Sequence, residues 1–290
     1  MAIYELQREV TLTAPALIAA LDGWVDAGAA GTTAASYIAD GGEVLATFDS
    51  DALIDYRARR PTLDIRLGVL TEIGWPDLSI RRVHSSGRDL LVLTGPEPDY
   101  RWREFGASIV EIARRLGVVE SVCMGAIPAM VAHTRPTPIL VTGHHRRPRE
   151  GDPPLPSEHM RVPAAAVSLV EVKLAEHGIL SGGIWAQVPH YVAGTYYAGA
   201  LALIERVAQH LGVRISVDAL VEQVREERVR LDDVVASRPE ARTYLEQLES
   251  SAQPLSISPS EDIGEEVERF LRETTGDNRN PFENPPDDGA

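Results

Sequence analysis

The chain has 290 residues, which is enough for one large α/β domain or for a domain with an appendage. Hydrophobic residues make up 44% of it, as in an ordinary globular protein. The 43 Asp and Glu residues outnumber the 28 Lys and Arg residues, giving a net charge of −15. Because this charge repels polyanions and anionic lipids, we expect no nucleic-acid partner and no membrane partner.

The sequence also carries a prediction about compartment. No run of 18 apolar residues occurs that could form a spanning helix. Residues 1–5 lack the basic region and apolar stretch of a secretory signal. Cys123 is the only cysteine, so no internal disulfide is possible and a reducing compartment is the simplest expectation. These features predict a cytoplasmic protein.

Short apolar runs alternate with helical patterns from residue 15 to residue 212. In chain order we predict a strand at 15–21, a small-residue loop feeding a helix, a hairpin of strands 63–70 and 78–84 around Gly74-Trp75-Pro76, a strand at 88–94, a helix at 101–116, strands at 118–124 and 138–142, a helix from Pro163 to Gly178, a strand at 183–188 and a helix at 195–211. Wholly apolar runs are typical of strands covered on both faces. The alternation predicts an α/β protein with a mixed, mainly parallel sheet between helical layers.

The pattern changes after residue 212. Val217, Leu220, Val224, Leu231 and Val235 belong to a nearly heptad stripe that is broken at Glu227-Arg228, and a shorter helical pattern follows Pro239. The residues from 253 onward are rich in Pro, Ser, Asp, Glu and Asn. We therefore divide the chain into an α/β domain at 1–212, a helical hairpin extension at 213–252 and an acidic, largely disordered tail at 253–290.

The first loop that could carry a functional site follows the strand at 15–21. A small-residue loop that feeds a helix could bind phosphate, but Asp26 stands where a dinucleotide fingerprint needs glycine, and no P-loop lysine is present. Asp22 and Asp26 would also repel an anion. The favoured interpretation is that Asp26 caps the following helix.

Four further stretches contain candidate site residues. Glu97 or Asp99 could contact a ligand, although Asp99 is equally suited to capping a helix. Cys123 lies in an apolar run and is a poor candidate nucleophile, and His190 is more simply satisfied by backbone partners. His144-His145-Arg146-Arg147 is more typical of a solvated loop than of a metal site. No catalytic residue, metal site or cofactor site is predicted.

Several of these segments together resemble the PAC2 (proteasome assembly chaperone 2) family, in its actinobacterial form. The segments are residues 19–28, 93–98, 125–128, 133–136 and 187–191, in the same order and spacing as in the family. The resemblance implies a three-layer α/β/α core like that of purine nucleoside phosphorylases. It also implies a homo-oligomer, a trimer in particular, and kinship with proteins that bind proteasome subunits. It supplies no catalytic residues.

Two functions follow as expectations. The first is a non-enzymatic interaction protein of the assembly-chaperone type, with itself and proteasome subunits or another protein complex as partners. The alternative is an enzyme or binder of a nucleoside-like or cationic small molecule, with a pocket at the carboxyl ends of the strands. The candidate pocket consists of Asp22, Trp24, Asp26, Gly95, Glu97, Gly125, His190 and Tyr191.

Overall fold

A computed structural model describes residues 3–8, 10–143 and 150–250. The strands in these residues are β1 Tyr4–Leu6, β2 Ala16–Asp22, β3 Glu43–Phe48, β4 Thr62–Arg66, β5 Val69–Gly74, β6 Ser79–Ser85, β7 Arg88–Pro96, β8 Glu120–Ala129, β9 Ile139–Thr142 and β10 Leu180–Pro189. The helices are α1 Ala30–Ile38, α2 Ser50–Leu53, α3 Trp102–Arg115, α4 Ala166–Glu176, α5 Tyr197–Leu211, α6 Asp218–Ser237 and α7 Pro239–Ser250. A single 3₁₀ turn, Ala27–Ala29, precedes α1.

Eight strands form one mixed sheet in the order β1-β3-β6-β7-β2-β8-β10-β9. The four central strands, β7, β2, β8 and β10, are parallel to one another. Strand β3 is related to β7 through two antiparallel pairings and so runs in the same direction, which makes five of the eight strands co-directional. The predicted mixed, mainly parallel sheet is confirmed.

Helices cover both faces of this sheet, as the apolar strands require. On one face Phe105 and Ile109 of α3 and Val170 of α4 pack with Leu17 and Leu91 of the sheet. The opposite face carries α1 and α5, which pack through small and branched side chains against alternate residues of the same strands. The result is the predicted three-layer α/β/α arrangement.

Helices α6 and α7 form a C-terminal hairpin with its own apolar cluster. Val235, Tyr244, Leu245 and Leu248 pack against a cluster that includes Tyr191. Helix α6 is continuous from Asp218 to Ser237, through the position at which Glu227-Arg228 breaks the apolar stripe. Glu227 is instead buried, although it is charged.

Two predicted elements are wrong. Strand 63–70 does not pair with strand 78–84: β4 and β5 form a separate ribbon that turns at Leu67-Gly68, and β6 belongs to the main sheet. Leu67 and Gly68 both have positive φ, which is the geometry of a tight hairpin turn. Leucine rarely adopts this conformation, so the sequence does not predict a turn at this position. The helix predicted from Pro163 begins only at Ala166, because its first amide is satisfied by a distant side chain described below.

Two expectations concern other parts of the chain. No helix in the described residues combines the length and apolarity needed to cross a bilayer. The predicted tail at 253–290 and the stretch 144–147 lie outside the described residues.

Candidate functional site

The four loops that contain the candidate pocket residues lie at one edge of the sheet. Strands β7, β2, β8 and β10 are parallel neighbours, so their carboxyl ends share that edge. Asp22 is in register with Pro96, and Pro189 with Ala129. In open α/β sheets this is the edge where ligands usually bind. The position of these loops suits a binding site. The contacts of each residue show whether its side chain is free to bind a ligand.

Asp26 is held by the start of α1. Its Oδ1 accepts hydrogen bonds from the backbone N–H of Gly31 (2.7 Å) and of Thr32 (3.2 Å), and its Oδ2 accepts from the hydroxyl of Thr32. Burial raises the pKa of Asp26, and the bonds from Thr32 and Gly31 oppose this shift. Asp26 thus fills the N-terminus of α1 across the intervening 3₁₀ turn, in keeping with the capping interpretation.

Glu97 joins two other loops at the same edge. Its Oε1 accepts from the backbone N–H of Ala166, 2.5 Å away, and its Oε2 from that of Trp24 at 3.1 Å. Ala166 is the first residue of α4, whose own N-cap residue, Ala165, makes no side-chain cap. Glu97 therefore caps α4 from a position 69 residues away in the chain.

The neighbours of Glu97 are more exposed. Arg59 binds Asp22 through both its side-chain and its backbone oxygen, each at 2.5 Å. The indole of Trp24 is 62% exposed. Asp99 does not cap α3 but accepts a hydrogen bond from the backbone N–H of Asp55 at 2.7 Å.

Gly95 and Gly125 serve close packing at this edge. Gly95 has a φ of 137°, and a Cβ there would lie 2.3 Å from the carbonyl oxygen of Asp77. A Cβ on Gly125 would lie 2.6 Å from the carbonyl oxygen of Val25 and 2.7 Å from the ring of Trp185. Both contacts are closer than a real Cβ can approach, so any side chain would push the neighbouring loops apart.

His190 and Tyr191 belong to a different cluster, beneath the C-terminal hairpin. Nδ1 of His190 lies 3.3 Å from the carbonyl oxygen of Ala129, and Nε2 lies 3.1 Å from the hydroxyl of Tyr244. Since a carbonyl only accepts, Nδ1 carries the proton and Nε2 accepts from Tyr244. Burial lowers the pKa of His190 and favours this neutral ring. The described contacts thus divide the eight candidate residues into six around Asp26 and Glu97 and two beneath the hairpin.

Tyr191 connects this cluster to His133, which the pocket prediction did not include. The Tyr191 hydroxyl accepts from the backbone N–H of His133 at 2.9 Å and lies 2.7 Å from Nδ1 of the same residue. Nε2 of His133 lies 3.2 Å from Oδ1 of Asp232 on α6. The sequence pointed to His133 only through the stretch 133–136, which is one of the segments that resemble the family. Burial lowers the pKa of His133 as well.

A second residue that sequence reasoning missed is Glu227 of α6. Its Oε2 accepts from the backbone N–H of Ala198 at 3.2 Å, and the backbone N–H of Tyr197, at the start of α5, also interacts with the carboxylate. Glu227 is only 2% exposed, and burial raises its pKa. Glu227 breaks the apolar stripe in the sequence, whereas its side chain is buried and makes a contact between two helices.

The comparisons with known proteins agree with this architecture. The model of the PAC2 family matches residues 20–235, which cover the end of β2, all the strands from β3 to β10, both helical layers and nearly all of α6. The chain belongs to the PAC2 family.

Solved structures of actinobacterial proteins are similar to this PAC2 protein. A Mycobacterium tuberculosis protein of unknown function is 32% identical, with a TM-score of 0.79, over 86% of this chain and 87% of that one. A PAC2 family protein from Streptomyces avermitilis is 32% identical, with a TM-score of 0.68, over 79% and 99% of the two chains. A proteasome-assembly chaperone homologue from M. tuberculosis is 27% identical, with a TM-score of 0.70, over 79% and 99%. The curated proteins contain no match.

Taken together, the carboxylates at the ligand edge of this PAC2 protein are structural groups. Asp26, Glu97 and Glu227 fill the N-termini of α1, α4 and α5, positions where an anionic ligand would otherwise bind. Cys123 is buried and its pKa is raised well above the ordinary value by that burial, which is the opposite of what a nucleophile needs. The described residues contain no cluster of His, Cys, Asp and Glu that could hold a metal ion.

Proposed function

We propose that this PAC2 protein is a non-enzymatic interaction protein of the assembly-chaperone type, which forms a homo-oligomer and binds protein partners. The observation that carries the proposal is the uncovered apolar face of the β4–β5 ribbon. All the residues of both strands are exposed, and the ribbon pairs with no strand of the main sheet among the described residues. A two-stranded ribbon alone in water is marginally stable, so this one is suited to packing against another protein surface.

The register makes one side of the ribbon apolar. Leu63 pairs with Ile73 and Ile65 pairs with Leu70, and paired residues share a face. A bulge between Asp64 and Ile65 brings Leu70 and Ile73 to the same side although they are three residues apart. These four side chains, which we call the apolar face, are 46% to 65% exposed. Soluble proteins rarely leave such a patch uncovered unless it is an interface.

The opposite side of the ribbon is polar. Asp64 pairs directly with Glu72, and Thr62 pairs with Gly74. Two ribbons stacked through their apolar faces would leave these carboxylates in solvent, so that an acidic protein could still associate with itself. Self-association through the ribbon is therefore part of the proposal, and the family resemblance implies a trimer.

The contacts at the ligand edge favour this function over a small-molecule enzyme. Both carboxylate oxygens of Asp26 and of Glu97 accept hydrogen bonds, and both ring nitrogens of His190 are hydrogen-bonded. A catalytic acid or base needs a free position within reach of a substrate. The contacts of these groups offer no such position, and no observation specifically favours the alternative.

The oligomer is tested by light scattering coupled to size-exclusion chromatography. The test variant is Ile65→Thr with Leu70→Thr, on the apolar face, and the matched control is Asp64→Thr with Glu72→Thr, on the polar face. We expect an oligomeric wild type and control, and a monomeric test variant with an unchanged circular dichroism spectrum. A wild type that stays monomeric at about 50 µM, well above the Kd of a stable interface, would refute the proposal.

The partner class is tested separately. We propose proteasome subunits, because a 27% identical structure is that of a proteasome-assembly chaperone homologue. Purified actinobacterial proteasome core particles and unassembled α-subunits would be immobilised and probed with the wild type and both ribbon variants. Saturable binding of the wild type is expected, and no binding to either form would remove the proteasome from the proposal.

A further inference from the structure

The three carboxylates that fill helix N-termini differ in where they come from. Asp26 and Glu97 belong to loops of the sheet edge itself, and both of their oxygens accept hydrogen bonds. Glu227 belongs to α6, in the hairpin that packs over the end of the sheet. It is thus a carboxylate brought to the edge by a separate element.

Glu227 also differs from the other two carboxylates in that one of its oxygens accepts no hydrogen bond. Its Oε2 accepts a hydrogen bond from the amide of Ala198, and the amide of Tyr197 also interacts with the carboxylate, but its Oε1 is buried without a hydrogen-bond partner among the residues the structure describes. A buried, unpaired carboxylate oxygen weakens the packing of the element that carries it.

We propose that the N-terminus of α5 is a carboxylate-binding site, that Glu227 occupies it as an internal ligand, and that an external carboxylate replaces Glu227 when the hairpin moves away. The first N–H groups of the 15-residue helix α5 have no hydrogen-bond acceptor within the helix, and they lie at its positive end. Glu227, which now fills the position, is itself a carboxylate, like the proposed ligand. It is only 2% exposed, so the protein already encloses a carboxylate at this position and excludes water from it.

The donors favour a carboxylate over a phosphate. Backbone N–H groups hold the carboxylate that is there now, and among the described residues no arginine or lysine side chain donates a hydrogen bond to it. Arg230 acts on it through charge alone, and the hydrogen bonds of Arg228 go to Asp232 and to the carbonyl oxygen of His133. Two neutral donors and one helix terminus match a single negative charge. A doubly charged phosphate would also meet the net charge of −15.

The rest of the hairpin is attached in a way that permits exchange. Polar side-chain contacts, such as Tyr37 with Gln223 and Tyr244 with His190, join it to the α/β core. Leu220, at the start of α6, is buried in one of the two main apolar clusters, whereas the later part of the hairpin packs in a smaller cluster of its own. Polar contacts of this kind are replaced by water at modest cost when an element opens locally. Opening would expose the amides of Tyr197 and Ala198 together.

The site is tested by chemical rescue in the full-length chain. Glu227→Ala leaves room for acetate beside the two amides, and we expect sodium acetate to raise the Tm of this variant saturably. At a concentration ten times its Kd, acetate would raise the folded-to-unfolded ratio about elevenfold. Sodium chloride at the same ionic strength is the reference. Glu226→Ala, the exposed neighbour on α6, is the matched control and should respond equally to both salts.

A second variant separates a binding site from a general salt effect. Ala198→Pro removes one donor, and proline is tolerated in the first turn of a helix. Glu227→Ala with Ala198→Pro should therefore lose most of the acetate response. Equal responses to acetate and chloride in Glu227→Ala would overturn the proposal. If Glu227→Ala does not fold, Glu227→Ser, which is smaller than the wild type but polar, takes its place in the same comparison.

Displacement is tested in the wild type by hydrogen exchange. Acetate, and separately an acetylated peptide ending in a free carboxylate, should speed amide exchange in α6 and α7, while the amidated peptide should not. Faster exchange with the peptide alone identifies a polypeptide as the source of the carboxylate, and faster exchange with acetate as well identifies a free acid. No change with either would refute displacement. The oligomer test above uses the ribbon only, so the two proposals fail independently.

Discussion

The carboxylate of Glu97 lies 3.1 Å from the backbone nitrogen of Trp24, and its other oxygen lies 2.5 Å from that of Ala166. One side chain at the end of β7 therefore fixes both the loop that follows β2 and the start of α4. Gly23 is part of the arrangement, because a Cβ there would lie 2.2 Å from the same carboxylate. The edge of the sheet is held together by a polar group that a binding site would need to leave free.

Replacing Glu97 should therefore cost stability. In Glu97→Ala the amides of Trp24 and Ala166 lose their acceptor, and we expect the free energy of unfolding to fall by about 1–3 kcal/mol, the usual range for a lost cap or buried hydrogen bond. Urea unfolding followed by circular dichroism measures this change. Glu104→Ala, which removes an exposed partner of Arg101, should stay within about 0.5 kcal/mol. Equal losses in the two variants would contradict the capping role.

The sequence was informative where a pattern is local. Apolar runs located the four central strands, and the glycines at 178 and 212 marked the ends of α4 and α5, where positive φ is needed. The capping role of Asp26 could be predicted because its partners, Gly31 and Thr32, lie within six residues.

The rest of the site depends on contacts that are distant in sequence. Glu97 and Ala166 are 69 residues apart, and His133 and Asp232 are 99 residues apart. No periodicity links such residues, so the start of α4 was predicted three residues early, and the contact of His190 with Tyr244 of the hairpin was not predicted. The ribbon was misassigned for a different reason, since Leu67 takes a turn conformation that favours glycine.

Gly125→Ala tests the close packing of the edge. The added methyl group would meet the carbonyl oxygen of Val25 and the ring of Trp185 at distances below 3.0 Å. We expect a loss of about 2–3 kcal/mol in the free energy of unfolding, as for overpacked cores. Gly182→Ala is the matched control on β10, because its Cβ would meet only the carbonyl oxygen of Thr142 at 3.4 Å. The interpretation fails if urea unfolding gives the two variants the same stability.

Cys123 should be unreactive while the protein is folded. It is fully buried in the core, so a reagent cannot reach it, and burial raises the pKa of its thiol, so the reactive thiolate does not form. At pH 8, iodoacetamide should modify less than a few per cent of the native protein within an hour and nearly all of it in 8 M urea. Mass spectrometry of the intact protein reports the modified fraction. Rapid modification of the native state would mean that the sheet opens readily.

Acid should weaken the contact between the hairpin and the sheet. Burial holds the pKa of His133 and of His190 below the ordinary value of 6.5, so the unfolded chain takes up protons that the folded chain refuses. Their contribution to stability is therefore complete above pH 6.5 and is lost as the pH falls toward the folded-state pKa values. Protonation also removes the acceptor for a tyrosine hydroxyl in each case, Tyr191 for His133 and Tyr244 for His190.

Urea unfolding between pH 7.5 and pH 5.5 measures this effect. Each histidine can contribute at most about 1.4 kcal/mol per pH unit, so the free energy of unfolding should fall by a few kcal/mol at most over this range. The raised pKa values of Asp26 and Glu227 act with the opposite sign, since their proton binding stabilises the folded state as the pH falls. His190→Gln should be less stable at pH 7.5 and have a flatter pH profile, whereas the exposed His159→Gln should follow the wild type. A steeper profile in His190→Gln would show that the buried ring is not the group that titrates.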